Sequence, residues 1–191
     1  MDMPAAIELT AAQARVLGAM LEKQLTTPDA YPLTLKALTT ACNQTSNRDP
    51  IVDYQPREVE TTVLALKAKG LARVVHPGSG ERATKFRQVL DEALHLTGAD
   101  RSLLCVLFLR GPQTASELRT RTERLHPFSS PGAIEEALDA LAERDPPLVA
   151  RVDRLPGQKE GRWIQLLEVG AEARAAATTS TTVTPTSQAG G

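Results

Sequence analysis

One pattern is written twice along the chain, and a duplication of this size restricts the fold to two copies of a small unit. Pro56, Val59, Val63 and Leu66 recur 75 positions later as Pro131, Ile134, Leu138 and Leu141. That spacing is the inward stripe of a helix opened by proline in its first turn. Leu71, Val75, Phe86, Gln88 and Leu90 then recur 77 positions later as Leu148, Val152, Trp163, Gln165 and Leu167, with Pro77-Gly78 and Pro156-Gly157 punctuating the loops between. Each copy therefore reads as helix, strand, Gly/Pro turn, strand.

Upstream of that block each copy starts with a longer helix. Thr10 and Gln13 have the spacing of a capping box, and Val16, Leu17, Met20 and Leu21 follow as an apolar stripe to about residue 24. In the second copy Thr97 caps, Asp100 sits at the positive helix end, and Leu103, Leu104, Leu107 and Phe108 repeat the stripe at an offset of 87 until Gly111-Pro112 stops it. Second helices are expected over 34–43 and 114–121, the latter opened by the Thr114/Glu117 capping box, and third helices over 56–69 and 131–144. Hairpin strands are expected at 71–76 with 85–90, and at 148–153 with 162–167.

Three helices followed by a two-stranded ribbon form a winged helix. The expected fold is thus α+β, mostly helical, with two tandem winged-helix domains at 8–90 and 95–168. Residues 171–191 turn Ala-rich and then Thr/Ser/Pro/Gly-rich, a composition that predicts a flexible tail.

Aromatic residues are only 3% of the chain, which removes the stacking platforms of a single-strand reader and leaves a core of Leu, Val, Ala and Ile. No segment approaches the roughly 20 apolar residues of a membrane span, and residues 1–6 lack the basic and apolar regions of a secretory signal, so a cytoplasmic location without membrane contact is expected. Cys42 and Cys105, one per copy on the apolar side of a helix, read as buried thiols. Trp163 and its counterpart Phe86 read as anchors tying each hairpin to its helices.

The net charge of −1 conceals an asymmetry. Residues 8–90 carry 11 Lys+Arg against 8 Asp+Glu, whereas residues 91–170 carry 10 against 13. In the second copy the third helix has Glu135, Glu136, Asp139 and Glu143 against Arg144 alone, and such a helix is repelled by phosphates. Only the first copy is a candidate for double-stranded DNA. Its expected contacts are Arg57, Lys67 and Lys69 on the third helix, Arg82, Lys85 and Arg87 on the wing, and Asn47 and Arg48 leading into the third helix. The loop 43–54 holds Asn43, Ser46, Asn47 and Asp49, side chains that order a loop by bonding its own backbone.

The stretch Glu22-Lys-Gln-Leu-Thr-Thr-Pro-Asp-Ala-Tyr-Pro-Leu-Thr-Leu-Lys-Ala-Leu-Thr-Thr-Ala-Cys-Asn-Gln-Thr-Ser-Asn-Arg-Asp-Pro50 resembles the signature of the YceH-like family of bacterial proteins of unknown function. The resemblance extends over about 8–168 and implies a tandem winged-helix protein of the bacterial cytoplasm. It brings no substrate, partner or reaction, and no catalytic residue.

Two function classes follow. One is a DNA-binding protein or DNA-associated regulator acting through the first winged helix. The other is a protein–protein adaptor or homodimer that offers a hairpin edge strand to a partner. An enzyme is the weakest reading, because His76, His95 and His126 show no pair at metal-ligand spacing and no phosphate-cradling glycine loop or nucleophile elbow is present. No cofactor, metal or small-molecule substrate is implied.

Overall fold

A computed structural model describes residues 6–154 and 156–180. The first copy comprises α1 (Ala11–Thr26), β1 (Leu33–Thr34), α2 (Leu35–Cys42), α3 (Pro56–Ala68), β2 (Ala72–Val75) and β3 (Lys85–Gln88). After the short helix α4 (Leu90–Leu94) the second copy follows with α5 (Gly98–Arg110), α6 (Ala115–Thr122), α7 (Pro131–Ala142), β4 (Val149–Val152) and β5 (Arg162–Gln165), and then α8 (Ala171–Ser180). The fold is mixed α+β with small antiparallel sheets.

The helix starts are where the threonines put them. The Gln13 N–H donates to Thr10 Oγ1 and the Thr10 N–H to Gln13 Oε1, both at 3.1 Å. Thr97 with Asp100 and Thr114 with Glu117 close the same reciprocal box. Each box satisfies two of the amide donors that a helix start leaves unpaired.

Repetition extends to details that no spacing rule shows. Leu33 pairs with Phe86 at the edge of the first sheet, whose order is β1-β3-β2, and Gln113 pairs with Trp163 at the matching place in the second copy. Gln88 and Gln165, both buried, each use Oε1 to accept the N–H of the residue two further on, at 2.7 Å (Leu90) and 2.9 Å (Leu167). The hairpins thus leave their sheets through one shared device. A buried amide left without these partners costs about 1–3 kcal/mol.

The two copies do not bury separate cores. One continuous apolar cluster runs from Leu17, Met20 and Leu66 of the first copy to Leu104, Leu138 and Trp163 of the second. Its centre is the crossing of α1 and α5. All residues from Gln13 to Glu22 and from Ser102 to Leu109 are buried, so both helices are enclosed on every side rather than along one stripe. Gly18 lets the backbones approach: a Cβ there would lie 2.9 Å from Leu109 and Phe108, and Cys105 Sγ sits 3.6 Å from the Gly18 carbonyl. The Leu9 N–H donates to Leu167 O (2.7 Å) and the Val169 N–H to Leu9 O (2.9 Å), joining the two copies again at their backbones.

Two further expectations are corrected. Residues 171–180 are helical, with Ala171 and Ala175 buried against β5, so the tail does not begin at 171; residues 181–191 lie outside the described residues. Residues 90–94, read as strand end and linker, form a helical turn that carries Glu92 back over the first hairpin.

Both cysteines are buried thiols. Burial pushes Cys42 up from 9.0 to about 12 and raises Cys105 further, and burial likewise pushes the Tyr31 hydroxyl, which accepts the Gln88 N–H at 2.7 Å, up from 10.0 to about 12. These acids hold their protons more tightly folded than unfolded, so the unfolded chain binds fewer protons at alkaline pH and stability falls as pH rises. The loss is expected to set in above pH 9.0, the thiol's ordinary value. Urea-unfolding midpoints recorded between pH 8 and 11 would contradict this by staying level.

Candidate nucleic-acid interface

The first hairpin sorts its side chains by strand alternation. Phe86 and Gln88 point inward and are buried, while Lys85 and Arg87 point out. Arg73 of β2 stands directly opposite Arg87, and Val75 opposite Lys85, so Arg73, Arg87 and Lys85 share the outer face. Like charges directly opposite destabilise a strand pair. Glu92 offsets the repulsion by accepting from both guanidiniums, 2.8 Å from Arg87 Nη1 and 3.0 Å from Arg73 Nη2. The Arg87 hydrogen bond, with the two positive charges, holds the Glu92 carboxyl below the usual carboxylate range.

The other expected contacts divide. Lys85 pairs with Glu81 at 3.0 Å, and Arg82 at the hairpin tip is exposed with no ion pair among the described residues. Lys67 is likewise exposed and unpaired, in the last turn of α3, beside Lys69, which donates to the Glu8 carbonyl. Arg57 lies in the first turn of α3, ten residues and therefore ~15 Å along the axis from Lys67. Lys67 and Lys69 thus stand together at the C-terminal end of α3, and Arg57 stands apart from them.

Arg48 does not belong to an exposed interface, whereas Asn47 beside it is exposed. The Arg48 side chain has no exposed surface; it donates to both Glu22 oxygens (2.6 and 3.1 Å) and to the Ala41 carbonyl (2.8 and 3.1 Å). Asn47 has a left-handed backbone (φ 56°), and its Oδ1 accepts from Arg110 of α5. Arg15, also buried, donates to the carbonyls of Cys42 and Pro50, and the Asp49 N–H donates to Leu109 O at 2.8 Å. Asn43 closes the loop with two 2.8 Å bonds to the Tyr54 backbone. The loop 43–54 is a latch onto α1 and α5: buried Arg48 and Arg15 take as acceptors the Glu22 carboxylate and the carbonyls of Ala41, Cys42, Asn47 and Pro50, and Arg15 Nε alone has none among the described residues.

The second hairpin differs on the same face. Arg73 and Arg87 correspond to Ala150 and Ile164, and Ile164 is buried where α8 packs on β5. One outer face opposes two arginines; its twin has Ala150 and Ile164 there and keeps only Arg162, which is paired with Glu117. Exposed Glu136, Asp139 and Glu143 keep α7 acidic.

A family model described as "Protein of unknown function, DUF480" matches residues 9–158, which take in both copies as far as the second hairpin. The chain belongs to the DUF480 family. It is 47% identical over 174 residues to a UPF0502 protein of Geobacter sulfurreducens, covering 89% of this chain and 78% of that one. A UPF0502 protein of Chromobacterium violaceum is 46% identical over 160 residues, covering 84% and 72%. These are the uncharacterised bacterial proteins that the 22–50 stretch resembles.

Within this DUF480 chain, sequence reading missed Arg73 and Glu92. The strand alternation marks Arg73 as outward-facing, but only the hairpin register places it opposite Arg87. Among the described residues no group of three or more His, Cys, Asp or Glu is arranged to hold a metal ion, and no helix is long and apolar enough to cross a membrane.

Proposed function

We propose that the chain is a non-enzymatic binding protein whose first repeat acts as a winged helix on duplex DNA. Arg73, Lys85 and Arg87 on the outer hairpin face, with Arg82 at its tip and Lys67 and Lys69 at the end of α3, grip phosphates. The observation that carries this reading is the cross-strand Arg73/Arg87 pair, which the hairpin tolerates at a cost where the second copy has Ala150 opposite Ile164. Ion pairs as exposed as those to Glu92 and Glu81 are weak and screened by solvent, so a phosphate can displace the carboxylates.

Binding of a labelled duplex measured at roughly 50 and 200 mM salt is expected to fall steeply. An R73A/K85A/R87A variant should flatten the log–log salt slope by about 0.9 for each phosphate it no longer neutralises. E92Q removes the competing carboxylate and should tighten binding by up to about fivefold. An absence of binding at the lower salt would favour the adaptor reading, for which β2 is the specific feature: it is an edge strand of the β1-β3-β2 sheet and can be extended by a partner strand.

A further inference from the structure

Where the repeats meet, arginines gather that serve neither the core nor the hairpin. Arg110, in the last turn of α5, and Arg121, in the last turn of α6, both line two cavities of about 430 and 450 Å³. The larger is walled by α1, α5, α6 and the latch loop, and Arg124 enters it from beyond α6. Among the described residues no carboxylate oxygen lies within 4.0 Å of these three guanidiniums, although Glu117 stands nearby and is taken by Arg162 at 2.9 Å. Arg110 donates to Asn47 Oδ1, and among the described residues Arg121 and Arg124 have no hydrogen-bond partner. Burial first holds the Arg110 guanidinium below its ordinary value, with the charges of Arg121 and Arg48 adding to the fall and those of Asp49 and Glu22 opposing it.

A cation in the last turn of a helix is ordinarily accounted for by the dipole. That explains each arginine singly and not their convergence on one half-buried space whose lining acid, Glu22, is already taken by Arg48 and Lys23. Guanidiniums so placed are complementary to a phosphoryl group, which offers them several charged acceptors at once. The rest of the wall narrows the class. Thr26 and Thr120 already donate their hydroxyl protons to Glu22 O (2.7 Å) and Ser116 O (3.2 Å), so toward the cleft they can only accept, as a ligand hydroxyl requires. Val106, Leu109 and Leu125 give an apolar side for a carbon skeleton, and no aromatic ring lines this wall to stack a base.

We propose that this inter-repeat cleft binds a phosphorylated sugar or polyol, with its phosphoryl group held by Arg110, Arg121 and Arg124 and its hydroxyls donating to Thr26 and Thr120. The site is separate from the hairpin face, and the proposal does not depend on DNA binding.

Thermal unfolding of the full chain with ribose 5-phosphate, ribose or sodium sulfate tests it. Ribose 5-phosphate is expected to raise the midpoint by about 5–10 °C at 100-fold its Kd, with ribose inactive and sulfate weaker. R121A/R124A, which removes side chains without partners in the fold, should melt like the parent and lose at least tenfold in affinity. Should the double variant melt early, Arg124→Gln at its exposed position serves instead, with a loss of at least threefold. No shift with ribose 5-phosphate at millimolar concentration, an equal shift with sulfate, or an undiminished shift in both variants would each overturn the proposal.

Discussion

Arg48→Ala is expected to destabilise the protein by about 3–5 kcal/mol, the range for breaking a buried ion pair by removing one partner. The guanidinium is wholly enclosed and makes five hydrogen bonds, to Glu22, Ala41 and the Asn47 carbonyl. Deleting it leaves the Glu22 carboxylate in a buried position beside Lys23, whose 3.5 Å approach is looser and partly exposed. It also removes the latch loop's side-chain ties to Glu22 of α1 and Ala41 of α2. For a chain of this length the midpoint should fall by roughly 6–20 °C. Denaturant unfolding monitored by circular dichroism measures the loss. A variant that kept the parent's stability and lost only DNA affinity would return Arg48 to the interface and refute the latch.

Gly18→Leu is expected to cost about 1–3 kcal/mol or more, and to do so in both repeats at once. In an exposed helix, replacing glycine by a good helix former would gain about 1 kcal/mol. Here the new Cβ would stand 2.9 Å from Phe108 Cβ and from two Leu109 side-chain atoms. The Leu109 tip can swing aside, but Phe108 Cβ is fixed to the backbone of α5, so the helices must separate. Trp163, the only tryptophan, sits in the second repeat and reports on it separately. Because the core is continuous, its fluorescence transition should move with the circular dichroism transition although the substitution lies in the first repeat. A Trp163 transition left at the parent's midpoint would mean that the repeats unfold independently.

Much of the architecture was legible because it follows local rules. The capping boxes at Thr10 and Thr114, the proline starts of α3 and α7 and the hairpins at their expected places are set by chemistry within a few residues. The shared core was legible too, but in a signal read too narrowly. Leu103 to Leu109 is an unbroken apolar run, and a helix apolar all round needs a cover on both sides; taking only the stripe Leu103, Leu104, Leu107 and Phe108 left Cys105, Val106 and Leu109 without neighbours. On α1 the reverse face is Ala14, Gly18 and Ala19, side chains too small to stand out as a stripe. Arg48 was beyond local reading. Its acid is 26 positions away on α1, and a polar loop offers no sign of which of its charges will be sealed.

The approach of Gly18 to Cys105 has a consequence for assembly. These positions are 87 apart, the offset that relates α1 to α5, so equivalent positions of the two repeats meet each other. Each repeat covers the other's long helix within one polypeptide, so self-association would have to recruit a different face.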